Sequence, residues 1–148
     1  MNTNANANQM YIQQISIFLE NRVGKLNQVT NLLAKFGIDI RTIALADTND
    51  FGILRLIVND TQKALSVLQE NNFTAKLTNV VAVKVPDEPG GLATILGKID
   101  EIGVSVEYMY AYTKPVNKEA VMIFRFADDE SAIKSLQDKN VEFLHTLN

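Results

Sequence analysis

The sequence predicts an α+β chain made of two tandem βαββαβ modules. Three observations predict it: the chain repeats itself, each repeat alternates strand-like and helix-like hydrophobic periods, and turn residues punctuate both copies at the same places. An offset of 66 residues lays Gly24 on Gly90, Leu26 on Leu92 and Gly37 on Gly103. Beyond the central hairpin the offset grows to 68, and Asp60, Ala64, Leu68, Gln69 and Asn72 fall on Asp128, Ala132, Leu136, Gln137 and Asn140. The two extra residues lie around Lys114 to Lys118, where Pro115 and Asn117 signal a turn.

Each copy opens on a strand. Ile15, Ile17 and Leu19 alternate, as do Val81, Val83 and Val85, which is the period of a half-buried strand. A helix follows. Leu26, Val29, Leu33 and Phe36, matched by Leu92, Ile95, Ile99 and Ile102, form one amphipathic stripe. Gly37 and Gly103 come directly after, where a left-handed helix end favours glycine. Ile38 and Ile40, like Val104 and Val106, begin a second strand. Asp60 and Asp128 stand at the N-cap of the second helix. In the first copy the predicted strands cover residues 11–19, 38–46, 51–58 and 73–78, and the helices 25–36 and 61–71. In the second the strands cover 80–85, 104–112, 120–126 and 141–144, and the helices 91–102 and 129–138. The domains are therefore 10–79 and 80–148, after a disordered Asn/Ala-rich tail over 1–9 with Met10 as an alternative start.

A βαββαβ unit is the ferredoxin-like split arrangement, an antiparallel sheet with two helices on one face. Two such sheets joined edge to edge give eight strands with all helices on one side. The opposite face carries Phe18, Leu45 or Leu54, so exposed apolar sheet is expected to meet a partner.

Composition narrows the function. The 148 residues carry 14 Lys and Arg against 17 Asp and Glu, a net charge of −3, so the basic footprint of a nucleic-acid binder is missing. With no cysteine there is no disulfide framework, thiol nucleophile or metal-chaperone Cys-x-x-Cys loop. That suits a cytoplasmic location. No apolar run reaches the ~18–20 residues that span a bilayer, and no cofactor motif is present. The one histidine, His145, sits near the C-terminus, where a frayed end is the better reading than a general base. Asp128, Asp129 and Glu130 begin a helix, where capping and dipole complementation account for them. Tyr108, Tyr110 and Tyr112 alternate on a strand and imitate a stacking platform for RNA, but the basic and aromatic motif that should accompany them is absent, so they are taken as an interface or pocket wall.

The informative segment joins the first strand to the first helix. It reads Asn21, Arg22, Val23, Gly24, Lys25, Leu26 in one copy and Asp87, Glu88, Pro89, Gly90, Gly91, Leu92 in the other. Glycine lets the backbone turn and a ligand approach closely. The free amides of the first helical turn suit a carboxylate, and Asn21 or Asp87 can accept hydrogen bonds from an ammonium group.

The βαββαβ pattern with an Asp/Asn-x-Pro-Gly-x-Leu loop resembles the ACT domain, here in tandem from Tyr11 onward. The second copy keeps Pro89 and Gly90; the first has Val23 in place of the proline. The resemblance implies regulatory binding of a free amino acid at an interdomain interface, with Asp39 and Ser105 at the start of the second strands able to reach the ligand. The residues themselves point to no catalysis, to a homodimer that pairs sheets or covers apolar faces, to a separate regulated enzyme or transporter, and to neither nucleic acid nor membrane as partner. The alternative is a purely structural dimerisation module with empty loops.

Overall fold

The computed structural model describes residues 10–20, 22–47, 50–114 and 117–147. The tail over 1–9, Asn21 and Pro115 lie outside these. The chain divides into two compact units: Gln13–Thr78 form the first, and Asn79–Leu147 with the stretch ending at Ile12 form the second.

In the first unit β1 (Tyr11–Glu20), β2 (Ile40–Asp47) and β3 (Phe51–Val58) pair antiparallel in the order β2-β3-β1. The first residues of β4 (Thr74–Val85) lie beside β1, with Ser16 Oγ 3.4 Å from Thr78 Oγ1. The register sets Ile15 opposite Leu56 and Glu20 opposite Phe51. Helices α1 (Lys25–Lys35) and α2 (Thr61–Glu70) supply Val29, Leu33, Ala64 and Leu68 to a core shared with Ile15, Ile17, Leu19, Leu54 and Leu56. Each large side chain buried there contributes about 1.5–3 kcal/mol. Asp60 caps α2, its carboxylate accepting the Lys63 N–H at 3.2 Å.

The second unit repeats the plan, in the strand order β7-β4-β6-β5, with β5 (Val106–Ala111), β6 (Ala120–Phe126) and the short β7 (Phe143–Leu144). Helices α3 (Gly91–Glu101) and α4 (Asp129–Asp138) cover Val81, Val83, Val85, Phe124 and Phe126. Asp128 accepts the Ser131 N–H at 3.3 Å, which is the expected cap. Asp129 accepts the Phe126 N–H at 3.2 Å and pairs with Arg125 at 2.5 Å. Its carboxyl is nonetheless raised above the usual range, because burial outweighs the Arg125 charge. Tyr11, packed on this core, is also raised, by burial first and then by the nearby Asp129 and Glu130.

The repeat extends to irregularities. A bulge interrupts β2 between Ile40 and Thr42, and β5 between Val106 and Tyr108. Gly37 and Gly103 take φ of 70° and 71°, as helix ends of this kind require. Asn117 and Lys118 are also left-handed, where the two extra residues form a turn. Among the described residues no helix is long and apolar enough to cross a membrane.

Several expectations need correction. The strands predicted at 73–78 and 80–85 are one strand of 12 residues, since nothing at Asn79 breaks it. The helical stripe is narrower than its spacing suggests: Val29 and Leu33 are buried, but Leu26 and Phe36, at the two ends of α1, are about 40% exposed. Leu54 is fully buried in the core. Leu45 pairs with Leu54 in register, so both sit on the helix-covered side; Leu45 is exposed because β2 is the edge strand. Phe18 is exposed, as expected. Tyr108 and Tyr110 are half-buried opposite Arg125 and Ile123, while Tyr112 is buried just beyond the strand.

Candidate ligand site at the first strand–helix corner

The corner between β1 and α1 folds by the same backbone hydrogen bonds as the corner between β4 and α3. Arg22 N–H donates to Glu20 O at 2.8 Å, and Glu88 N–H to Pro86 O at 2.9 Å. Lys25 N–H donates to Arg22 O at 3.3 Å, and Gly91 N–H to Glu88 O at 3.0 Å. Gly24 and Gly90 then occupy the N-cap with φ of 90° and 85°. An L side chain there pays about 1–2 kcal/mol of steric strain. A glycine cap offers no side-chain oxygen to the helix. Gln28 N–H reaches Gly24 O at 2.9 Å, which leaves the Leu26 and Asn27 amides without an acceptor among the described residues. This is a partly positive helix end with room for an anion.

In the first unit two cavities open at this corner. The larger, about 470 Å³, is walled by Phe18, Leu32, Phe51 and Phe73, with Glu20, Lys25, Asn71 and Asn72 among its polar lining. A smaller one of about 250 Å³ lies between Leu26 at the start of α1 and Leu45 and Gly52 on the sheet, and is also lined by Arg22 and Lys25. The larger falls within the ~300–1,000 Å³ usual for small-molecule sites. Lys25 and Glu20 line both. Glu20 is paired with Arg22, whereas Lys25, half-buried, makes no ion pair among the described residues.

Of the residues singled out in the first copy, Arg22, Lys25 and Leu26 therefore line a cavity. Gly24 shapes the corner, and Val23 projects fully into solvent. In the second copy Asp87, Glu88, Pro89 and Gly90 are exposed, Gly91 is buried and Leu92 packs on the core. Asp39 and Ser105 are not brought to the loops of their own units. Ile40 pairs with Val58 whereas Glu20 pairs with Phe51, so Asp39 lies at the far end of the sheet. That is ~20 Å away at strand rise. Its carboxylate pairs with Arg41, and its N–H donates to Asn59 Oδ1 at 2.9 Å. Ser105 O accepts the Ala127 N–H at 3.0 Å. Sequence reasoning missed Phe18 as a cavity wall, along with Phe51, Asn71 and Phe73. Phe51 was within reach, because a strand that begins opposite Glu20 must place its first side chain at the corner. Among the described residues no three His, Asp or Glu side chains converge as a metal site.

The βαββαβ repeat, the glycine-capped corners and the shared turn geometry define the class: the chain belongs to the ACT domain pair family, whose profile matches residues 10–148. It is similar to protein BT0572 from Bacteroides thetaiotaomicron, with 41% identity over 91% of this chain and 92% of the other, and a TM-score of 0.84. The regulatory subunit of aspartate kinase from Thermus thermophilus, in its ligand-free form, shares 19% identity over 85% of this chain and 91% of that one, at a TM-score of 0.58. The corresponding subunit from Thermus flavus shares 17% over 85% and 90%, at 0.57. At these identities the two subunits share the fold. No curated protein matches the chain.

Proposed function

We propose that this protein is a regulatory sensor that binds a free amino acid and has no catalytic role of its own. The observation that carries the reading is the open cleft beside the glycine-capped start of α1, with Lys25 and Glu20 in its lining. The ligand carboxylate sits toward Lys25 and the helix end, and its ammonium toward Glu20. The family supports the reading, as do the aspartate kinase regulatory subunits of the same fold. The regulated protein is a separate chain, an enzyme or transporter, in the cytoplasm. Ligand acts by favouring one arrangement of the modules over another.

A thermal-shift screen against the twenty free amino acids tests this. A ligand at 100 times its dissociation constant adds about 2.7 kcal/mol. Lys25→Ala removes a charge-assisted contact worth ~1.5–3 kcal/mol, so the same ligand should bind tenfold or more weakly. A flat response to all twenty favours the structural dimerisation module instead.

We infer that the working form is a homodimer. Edge strand β2 exposes Ile43 and Leu45, and α1 and its C-cap expose Leu26 and Phe36. A paired edge removes these from water and satisfies the open strand. Leu45→Glu should convert a dimer to monomers in sedimentation velocity; an unchanged dimer peak places the interface elsewhere.

A further inference from the structure

The second unit shows what the first leaves open. The repeat lays Phe18 on Lys84 and Leu32 on Lys98, and it lays Phe73 on Val141 and Thr74 on Glu142. Geometry supports the pairing. Asn72 and Asn140, one residue earlier, are both left-handed at φ of 66° and 64°. Phe73 N–H donates to Leu68 O and Val141 N–H to Leu136 O, both at 3.0 Å. At these places the second unit has built internal bonds. Lys84 Nζ meets Glu142 Oε2 at 3.1 Å, and Lys98 Nζ donates to Lys139 O at 3.0 Å on the end of α4. The first unit puts phenylalanine and threonine where that ion pair stands and leucine where Lys98 stands, and there it holds the cavity of about 470 Å³.

We propose that each chain has one such amino-acid cleft, in the first unit alone, and that it selects an amino acid with an apolar side chain. The proposal rests on the sensor reading above and adds the ligand class and the count. The zwitterion is held between Lys25 and Glu20, and Phe18, Phe51, Phe73 and Leu32 share the remaining lining with Gln28, Asn71, Asn72 and Thr74. A charged ligand side chain would lose its water against the phenylalanine rings, and Lys76, whose Nζ stands 5.8 Å from the Phe18 ring centroid, is already engaged with that ring. An alkyl or aromatic one gains by leaving water. In the second unit the lysine and glutamate spend their charges on each other.

Isothermal titration of the whole protein with alanine, 2-aminobutyrate, norvaline and norleucine reads the wall directly. Affinity should rise about fourfold per methylene until the cavity is filled, with one site per chain, and aspartate and lysine should bind at least tenfold more weakly than norleucine. The double variant Phe18→Lys/Thr74→Glu, which transplants the ion pair, should lose norleucine binding tenfold or more, and Leu32→Lys provides a second route to the same loss. The homologous series uses unaltered protein, so its outcome does not depend on either variant folding. Affinity that is flat along the series, or highest for a charged side chain, overturns the apolar class while leaving an amino-acid sensor standing. Two sites per chain overturn the single-cleft proposal. Absence of binding by every amino acid removes this inference together with the sensor reading beneath it.

Discussion

Phe124→Ala is expected to cost about 3–5 kcal/mol. Phe124 is fully buried at the centre of the second unit, paired with Val81 across the sheet. Its ring stacks on Phe126 with centroids 5.4 Å apart and planes 5° from parallel. Truncation removes both the transfer free energy of the ring and its contacts with Phe126, and it leaves a void in the core. Chemical denaturation followed by far-UV circular dichroism gives the loss. A control marks the contrast: Val23→Ala alters a side chain wholly in solvent and should stay within about 0.5 kcal/mol of the parent. Equal stability of Phe124→Ala and the parent would mean that this core is loosely packed.

Gly91→Ala is expected to cost about 3 kcal/mol, near the upper end for overpacking. A Cβ at Gly91 would lie 2.0 Å from the Pro86 carbonyl oxygen and 3.0 Å from its carbon. The obstacle is backbone, so no rotamer relieves it. The corner must open, which strains the hydrogen bonds from Gly91 N–H to Glu88 O and from Glu88 N–H to Pro86 O. Gly24→Ala differs in kind: nothing lies within 4 Å of its added carbon, and only the φ of +90° is strained, so its cost is nearer ~1–2 kcal/mol. Differential scanning calorimetry should place Gly91→Ala below Gly24→Ala. The reverse order would contradict the close approach of Pro86. Lys25 holds the place of Gly91 in the first copy.

Self-similarity made most of the fold legible in the sequence. Gly37 with Gly103, Asp60 with Asp128, and the alternating triplets Ile15, Ile17, Leu19 and Val81, Val83, Val85 each report one local physical demand, and each demand appears twice. Errors arose where a side chain's fate depends on what lies beyond its own element. The spacing of Leu26 and Phe36 fits a core stripe, but helix ends overhang the sheet. Leu45 and Leu54 look alike on apolar strands, and only register and edge position separate buried from exposed. The corner residues Arg22, Gly24, Lys25 and Leu26 were readable because glycine before a helix has a specific backbone meaning. The phenylalanine wall was not, because it is assembled from the end of β1, the start of β3 and the turn after α2. No sequence period links three such segments.

Amide chemical shifts of isotopically labelled protein, recorded while the best-binding amino acid is added, locate the ligand directly. The expected result is that the largest saturable changes fall on Gly24, Lys25 and Leu26 and on Phe73 and Thr74 across the cleft, while Gly90, Gly91 and Leu92 stay nearly still. Changes confined to the second copy's corner, or scattered away from both corners, would contradict the assignment of the ligand to the start of α1.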